Sequence, residues 1–242
     1  VSEFSFYKVA DMDVEILESR RLFSVTVAEG YPGFYEVTGD DANDTIAISV
    51  NQDNSTFTLD NTTYTDAQYI VVNGGGGDDT ISVTSAENTD AVGAAIVGGD
   101  GNDNLTMNFD GAVWGGNGDD TIHVSNSFYG EVYGEAGNDH LIVSGDCVDA
   151  TIDGGDDNDL IDCSGNNFGV IVSGGYGDDT IIGSNYDDQI SGDAGSDSMV
   201  GGDGNDSFSS GDSSDTIDGG NGTDTAFTSG MSPTLISIEQ VY

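Results

Sequence analysis

The sequence predicts an all-β solenoid, a parallel β-roll of stacked coils, and three observations carry that expectation. A short motif rich in Gly and Asp recurs along most of the chain. A large apolar residue follows each copy at a fixed offset. The intervals between copies settle at 17 to 20 residues and then at 9, the mark of a repeat architecture.

The motif is Gly-Gly-x-Gly-x-Asp-x-U-x, with U a large aliphatic, and it fits at 98–106, 115–123, 174–182 and 201–209. Weaker copies stand at 74–82, 134–142, 154–162, 183–191, 192–200, 210–218 and 219–227, and a degenerate one without the glycines at 39–47. The sixth-position aspartates are Asp44, Asp79, Asp103, Asp120, Asp139, Asp159, Asp179, Asp188, Asp197, Asp206, Asp215 and Asp224. Two positions on come Ile46, Ile81, Leu105, Ile122, Leu141, Ile161, Ile181, Ile190, Met199, Phe208, Ile217 and Ala226, of which eleven are large and apolar. Each x-U-x reads as a short strand whose one inward side chain fills a thin core.

Spacing then assigns edges. Two nonapeptides complete one coil, so an interval of 9 puts the motif on both edges and 17 to 20 puts it on one. A long edge runs through Asp79, Asp103, Asp120, Asp139, Asp159, Asp179, Asp197 and Asp215, and a short one through Asp188, Asp206 and Asp224. The return strands carry Val72, Ile96, Val113, Val132, Ile152 and Val172 inward, which leaves Asn73, Val97, Trp114, Tyr133, Asp153 and Ser173 facing outward. Trp114 and Tyr133 are neighbours in this register, packed along the outer face rather than set apart for a ligand.

The ends differ. Residues 1–30 hold ILESRRLF (16–23), whose role the sequence leaves open. Residues 31–97 read as a strand-rich N-terminal cap with the first coils, including a hairpin or an irregular first coil that turns near Gln52–Asn54. The regular coils occupy 98–228, and 229–242 reads as a strand covering the last of them.

Charge is extreme: 45 Asp and Glu face 3 Lys and Arg, a net −42. Such a surface repels nucleic acid and anionic lipid, and no run is long enough to span a bilayer. It also repels itself, so folding requires cations. Glycines permit the positive φ of a tight turn and close backbone approach. Turn carbonyls then converge beside the Asp carboxylate, an all-oxygen set suited to Ca²⁺. His123 and His140 fall in different rows and are expected as exposed strand residues. Cys163 takes a core position, where other coils carry Val83, Met107, Val124 and Val143, and Cys147 lies elsewhere on the perimeter, so the two are expected unpaired.

The repeats quoted resemble those of the RTX (repeats-in-toxin) family, closely over 98–228 and more loosely over 37–97. That resemblance implies a right-handed parallel β-roll, secretion to the cell exterior or surface, and Ca²⁺ held between successive turns. It implies as ligands the sixth-position aspartates from Asp79 to Asp224. It adds turn carbonyls at first and third positions: Gly98 and Asp100, Gly115 and Asn117, Gly134 and Ala136, Gly154 and Asp156, Gly174 and Tyr176, Gly192 and Ala194. One ion per gap gives about nine Ca²⁺. Departures from the pattern are Glu135 and Ala136 in one turn, Asp157 and Tyr186 at fourth positions, and a long edge with no partner edge between 79 and 179.

Residues 22–242 contain no Lys or Arg to stabilise an anionic transition state, so the chain is expected not to be an enzyme. The leading expectation is an extracellular structural or adhesive module that folds on binding Ca²⁺, self-associating end to end or contacting a cell surface or polysaccharide. The alternatives are a folding and secretion appendage of a larger enzyme, and a polysaccharide-active solenoid.

Overall fold

The computed structural model describes residues 25–51, 55–86, 92–126, 129–148, 150–211, 214–228 and 233–242. The segment ILESRRLF and the turn expected near Gln52–Asn54 lie outside these. The described chain is all strand, turn and bend, arranged as two 12-stranded sheets that the chain visits alternately. The result is a parallel β-solenoid.

Along the regular coils the neighbours are parallel, and in register except for a one-residue shift between Ile142 and Ser144 where His140–Gly145 pairs with Leu160–Asn166. Gly111–Asn117 pairs with Gly93–Asp100 on one side and Gly130–Ala136 on the other. On the facing sheet, Thr121–Ser125 sits between Asn104–Met107 and His140–Gly145. All twelve residues of the eighth motif position, Ile46 to Ala226, are buried, as are Val72, Ile96, Val113, Val132, Ile152 and Val172 on the return strands. Alternation with period two produces this: along Thr45–Asn51 the odd side chains face water and Ile46, Ile48 and Val50 are buried. Each such side chain contributes about 1.5–3 kcal/mol, and a coil holds only a few of them.

Among the described residues, antiparallel pairing is confined to the N-terminal end. Thr26–Glu29 pairs with Phe34–Thr38, and Thr45–Asn51, Thr56–Leu59 and Thr62–Tyr64 form a meander. Tyr35, Phe57 and Tyr64 close the end of the core, Phe57 stacked on Tyr64 at 4.6 Å and Tyr35 edge-on to Phe57 at 5.0 Å. At the other end, 233–242 forms two short strands rather than one. Thr234–Ile236 joins Thr216–Asn221, and Gln240–Val241 joins Thr225–Phe227. The left-handed Ser237, at φ 51°, breaks the extended run between them.

Cys163 is a buried free thiol in the core, and Cys147 is buried too, its Sγ near the carbonyls of Ser144 (3.3 Å) and Asn126 (3.5 Å). Trp114 and Tyr133 face outward on adjacent strands, half-buried and stacked at 6.1 Å and 7°. Nothing long and apolar enough to cross a membrane as a helix occurs among the described residues.

Candidate metal centre

Each motif turn links one sheet to the other. Its first six residues must reverse the chain while stacking flat on the turns of neighbouring coils. At Gly99 and Gly101 φ is 120° and 128°, and a Cβ at either would strike the carbonyl of Gly75 or Gly77 in the preceding coil. Only glycine meets both demands without cost. In three turns a residue with Cβ takes this conformation instead: Glu135, Asp157 and Asp193 hold φ of 78°, 78° and 65°. A left-handed conformation costs a residue with Cβ roughly 1–2 kcal/mol. Glu135→Gly is therefore expected to stabilise the calcium-loaded fold by about 1 kcal/mol, read as a higher midpoint in thermal or urea melts; an unchanged or lower midpoint would show the strain is absent.

The twelve sixth-position aspartates are all buried, and the structure lines them up in two rows. In the first, the N–H of each Asp donates to Oδ1 of the Asp in the next coil. Asp44 donates to Asp79 (2.7 Å), Asp79 to Asp103 (2.7 Å), Asp103 to Asp120 (2.8 Å) and Asp120 to Asp139 (2.7 Å). The ladder continues from Asp139 to Asp159 (2.8 Å), Asp179 (2.8 Å), Asp197 (2.9 Å) and Asp215 (3.0 Å). The second row runs from Asp188 to Asp206 and from Asp206 to Asp224, at 2.9 Å each.

Oδ1 is thus spent on alignment, and Oδ2 is left over. In Asp79, Asp103, Asp120, Asp139, Asp159, Asp179, Asp197, Asp206 and Asp224 it is buried with no hydrogen-bond partner. Beside it runs the carbonyl of the first residue in the next coil's turn. A Cβ on Gly154 would meet Asp159 Oδ2 and the Gly174 carbonyl, and one on Gly115 would meet Asp120 Oδ2 and the Gly134 carbonyl (2.6 Å). The first-position carbonyls of Gly98, Gly115, Gly134, Gly154 and Gly174 all border such a space, and that of Gly192 lies at 2.9 Å from the corresponding point. The third-position carbonyls have a second duty. Those of Asp100, Asn117, Ala136, Asp156 and Ala194 accept the N–H of a fourth-position Gly in the preceding coil, at 2.7 to 3.2 Å, leaving each one lone pair.

A buried carboxylate oxygen without a donor is costly, and these are many. Burial, only partly offset by the ladder N–H and reinforced by neighbouring aspartates, pushes Asp120, Asp139, Asp159, Asp197 and Asp206 up to about 7 and Asp79 to about 6. Asp103, Asp179 and Asp224 are raised by burial as well. Hard oxygen donors, one carboxylate per turn and the rest backbone, fit a calcium ion. Among the described residues no three His, Cys, Asp or Glu side chains cluster as a metal site.

Asp44, which lacks the glycines and was not expected among the ligands, nevertheless stands at the head of the first row. Asp188 differs from the other aspartates of the short edge: Ser184 donates to it through N–H (2.7 Å to Oδ2) and Oγ (2.9 Å to Oδ1). Where the second edge carries no motif, apolar groups replace carboxylates. Val170 sits beside Asp188 in register and is buried, as are Ala150 and Ala94. Asn166 ties these turns, accepting from Cys147 N–H (3.0 Å) and donating to the carbonyls of Cys147 and Phe168 (2.8 Å each). His123 and His140 are half-buried strand residues, His123 Nε2 lying 3.1 Å from Ser144 Oγ.

A second ladder was not expected. At the exposed fifth position, side-chain oxygens accept the N–H of the next coil. Asn43 serves Asp78, Asp78 serves Asn102, Asn102 serves Asp119 and Asp119 serves Asn138, at 2.9 to 3.0 Å. The signal was present in sequence, since Asn43, Asp78, Asn102, Asp119, Asn138, Asn158 and Asp178 are all Asn or Asp.

The fold and these turns define a parallel β-solenoid with metal-binding edges. Four copies of the RTX calcium-binding nonapeptide repeat match the chain, at residues 71–85, 112–126, 173–208 and 192–226. The chain thus carries RTX repeats, which bind Ca²⁺, and its fold is consistent with the RTX β-roll. Searches of curated proteins and of solved structures returned no match. The same Asp ladder runs unbroken through 127–172, between matched stretches, by way of Asp139 and Asp159.

Proposed function

We propose that this chain is a non-enzymatic structural or adhesive module that works outside the cell and folds on binding calcium. The supporting observation is the row of buried carboxylates whose second oxygen has no donor. Such a row stays charged at neutral pH only with cations between the coils. One ion for each of those oxygens gives about nine, held by Asp79 to Asp197 on the long edge and by the last turns of the short one. Bound calcium supplies positive charge without any redox or proton chemistry. The chain's own residues supply alignment through Oδ1, ligation through Oδ2 and turn carbonyls, and a core too thin to stand alone. Low calcium inside a cell and millimolar calcium outside would keep it unfolded before export and ordered after it. The domain reading follows: 31–97 as cap and first coils, 98–228 as the calcium-bearing coils, 229–242 as the closing segment.

End-to-end association finds support in the C-terminal end, where Thr234–Ile236 and Gln240–Val241 are the outermost strands and Ile236, Val241 and Tyr242 are exposed. Open parallel edges pair readily with another chain. Mass photometry with calcium is expected to show dimers and longer species that vanish in chelator. A monomer at all calcium levels would leave the structural role to surface contact alone.

A further inference from the structure

We propose that the C-terminal tail completes the last calcium site of the short row, the carbonyl of Ser237 and the carboxylate of Glu239, both outside the nonapeptide repeats, joining Asp224. The proposal rests on the calcium reading above.

The second row does not stop at its last motif. Asp224 N–H donates to Glu239 Oε2 at 2.7 Å, the bond that Asp188 and Asp206 make to the next aspartate at 2.9 Å. Glu239 therefore takes the sixth-position role in a coil that has no motif. Asp224 is fully buried, and its Oδ2 has no partner. A Cβ on Gly219 would meet that oxygen at 2.5 Å and the Ser237 carbonyl beside it. At Gly201 the same point is bordered by Asp206 Oδ2 and the Gly219 carbonyl. Ser237 reaches this place by adopting φ 51°, an uncommon conformation for a residue with Cβ. The tail thus rebuilds, with unrelated residues, the donor arrangement of a motif turn.

At the opposite end of the row, Asp188 Oδ2 borders the same kind of space with the Gly201 carbonyl at Gly183, while Oδ2 also accepts the Ser184 N–H and Oδ1 accepts Ser184 Oγ and the Val170 N–H. The row therefore runs past its last motif aspartate and ends at Glu239. An ion there would pin the two short tail strands to the solenoid, which hydrogen bonds alone hold weakly.

The test is calcium per chain, by elemental analysis of the full chain after gel filtration at low free calcium, with strand content checked by circular dichroism. Glu239→Gln keeps an oxygen for the Asp224 N–H and removes only charge. It is expected to retain one ion fewer than the parent, as is Asp224→Asn. A full complement in Glu239→Gln overturns the proposal and leaves the remaining calcium rows intact. A parent chain that retains no calcium overturns the calcium reading itself.

Discussion

In chelator at neutral pH the chain is expected to lose nearly all its strand signal by circular dichroism and to regain it on adding calcium. Without cations the carboxylates of one row repel at the coil spacing of about 4.8 Å. Nine of the motif turns also contribute a buried oxygen with no donor, each at a cost of about 1–3 kcal/mol, more when charged. Against this stands a thin core, to which each strand gives only a few inward residues. The ligand-free coil state and the ligand-bound folded state then form one coupled equilibrium. A full β-spectrum in EGTA would refute it.

Protons should partly replace the metal. The raised aspartates bind protons more tightly in the metal-free fold than in the unfolded chain, where they titrate near the ordinary carboxylate value of about 4. Their contribution to the metal-free fold is complete below that value and is lost as pH rises through about 6 for Asp79 and about 7 for Asp120, Asp139, Asp159, Asp197 and Asp206. Acidification from pH 7.5 to 5 in chelator is therefore expected to restore strand signal. A chain equally unfolded across that range would mean that the carboxylates are not what calcium neutralises.

Much of this was legible because a solenoid has a period. A fixed offset between Asp and apolar residue placed Ile46 through Ala226 in the core, and intervals of 9 against 17 to 20 sorted the aspartates into two rows. What escaped depends on backbone detail that residue type encodes only loosely. Asp44 joins its row without glycines because the ladder needs only an N–H and an Oδ1. Ser184, outside the motif's glycine pattern, adds an N–H to Asp188 Oδ2. The fifth-position ladder hid behind its variability, Asn and Asp serving alike as acceptors. Glu239 had no motif to announce it, and only the stacking of coils brings it to Asp224.

The most damaging single change is expected at Asp159, in the middle of the long row. Its Oδ1 accepts the Asp139 N–H at 2.8 Å, its own N–H is held by Asp179, and its Oδ2 is one of the oxygens without a donor. Asp159→Ala removes the ladder acceptor and a charged ligand together. Stranding the Asp139 N–H costs about 1–3 kcal/mol. The opposite edge of this coil offers no compensating ion, since its turn is tied by Asn166 and packed with Val170. Asp159→Asn separates the two losses, because the amide oxygen still accepts while the charge is gone. The calcium midpoint for folding is expected to rise severalfold for Asp159→Asn and further for Asp159→Ala, with a shallower transition as the row splits at its centre. Asp188→Asn, where Ser184 and Val170 already donate to the carboxylate, should move the midpoint less. Equal shifts for Asp159→Asn and Asp188→Asn would mean that the unpaired Oδ2 is not the metal ligand, and that alignment alone gives these aspartates their place.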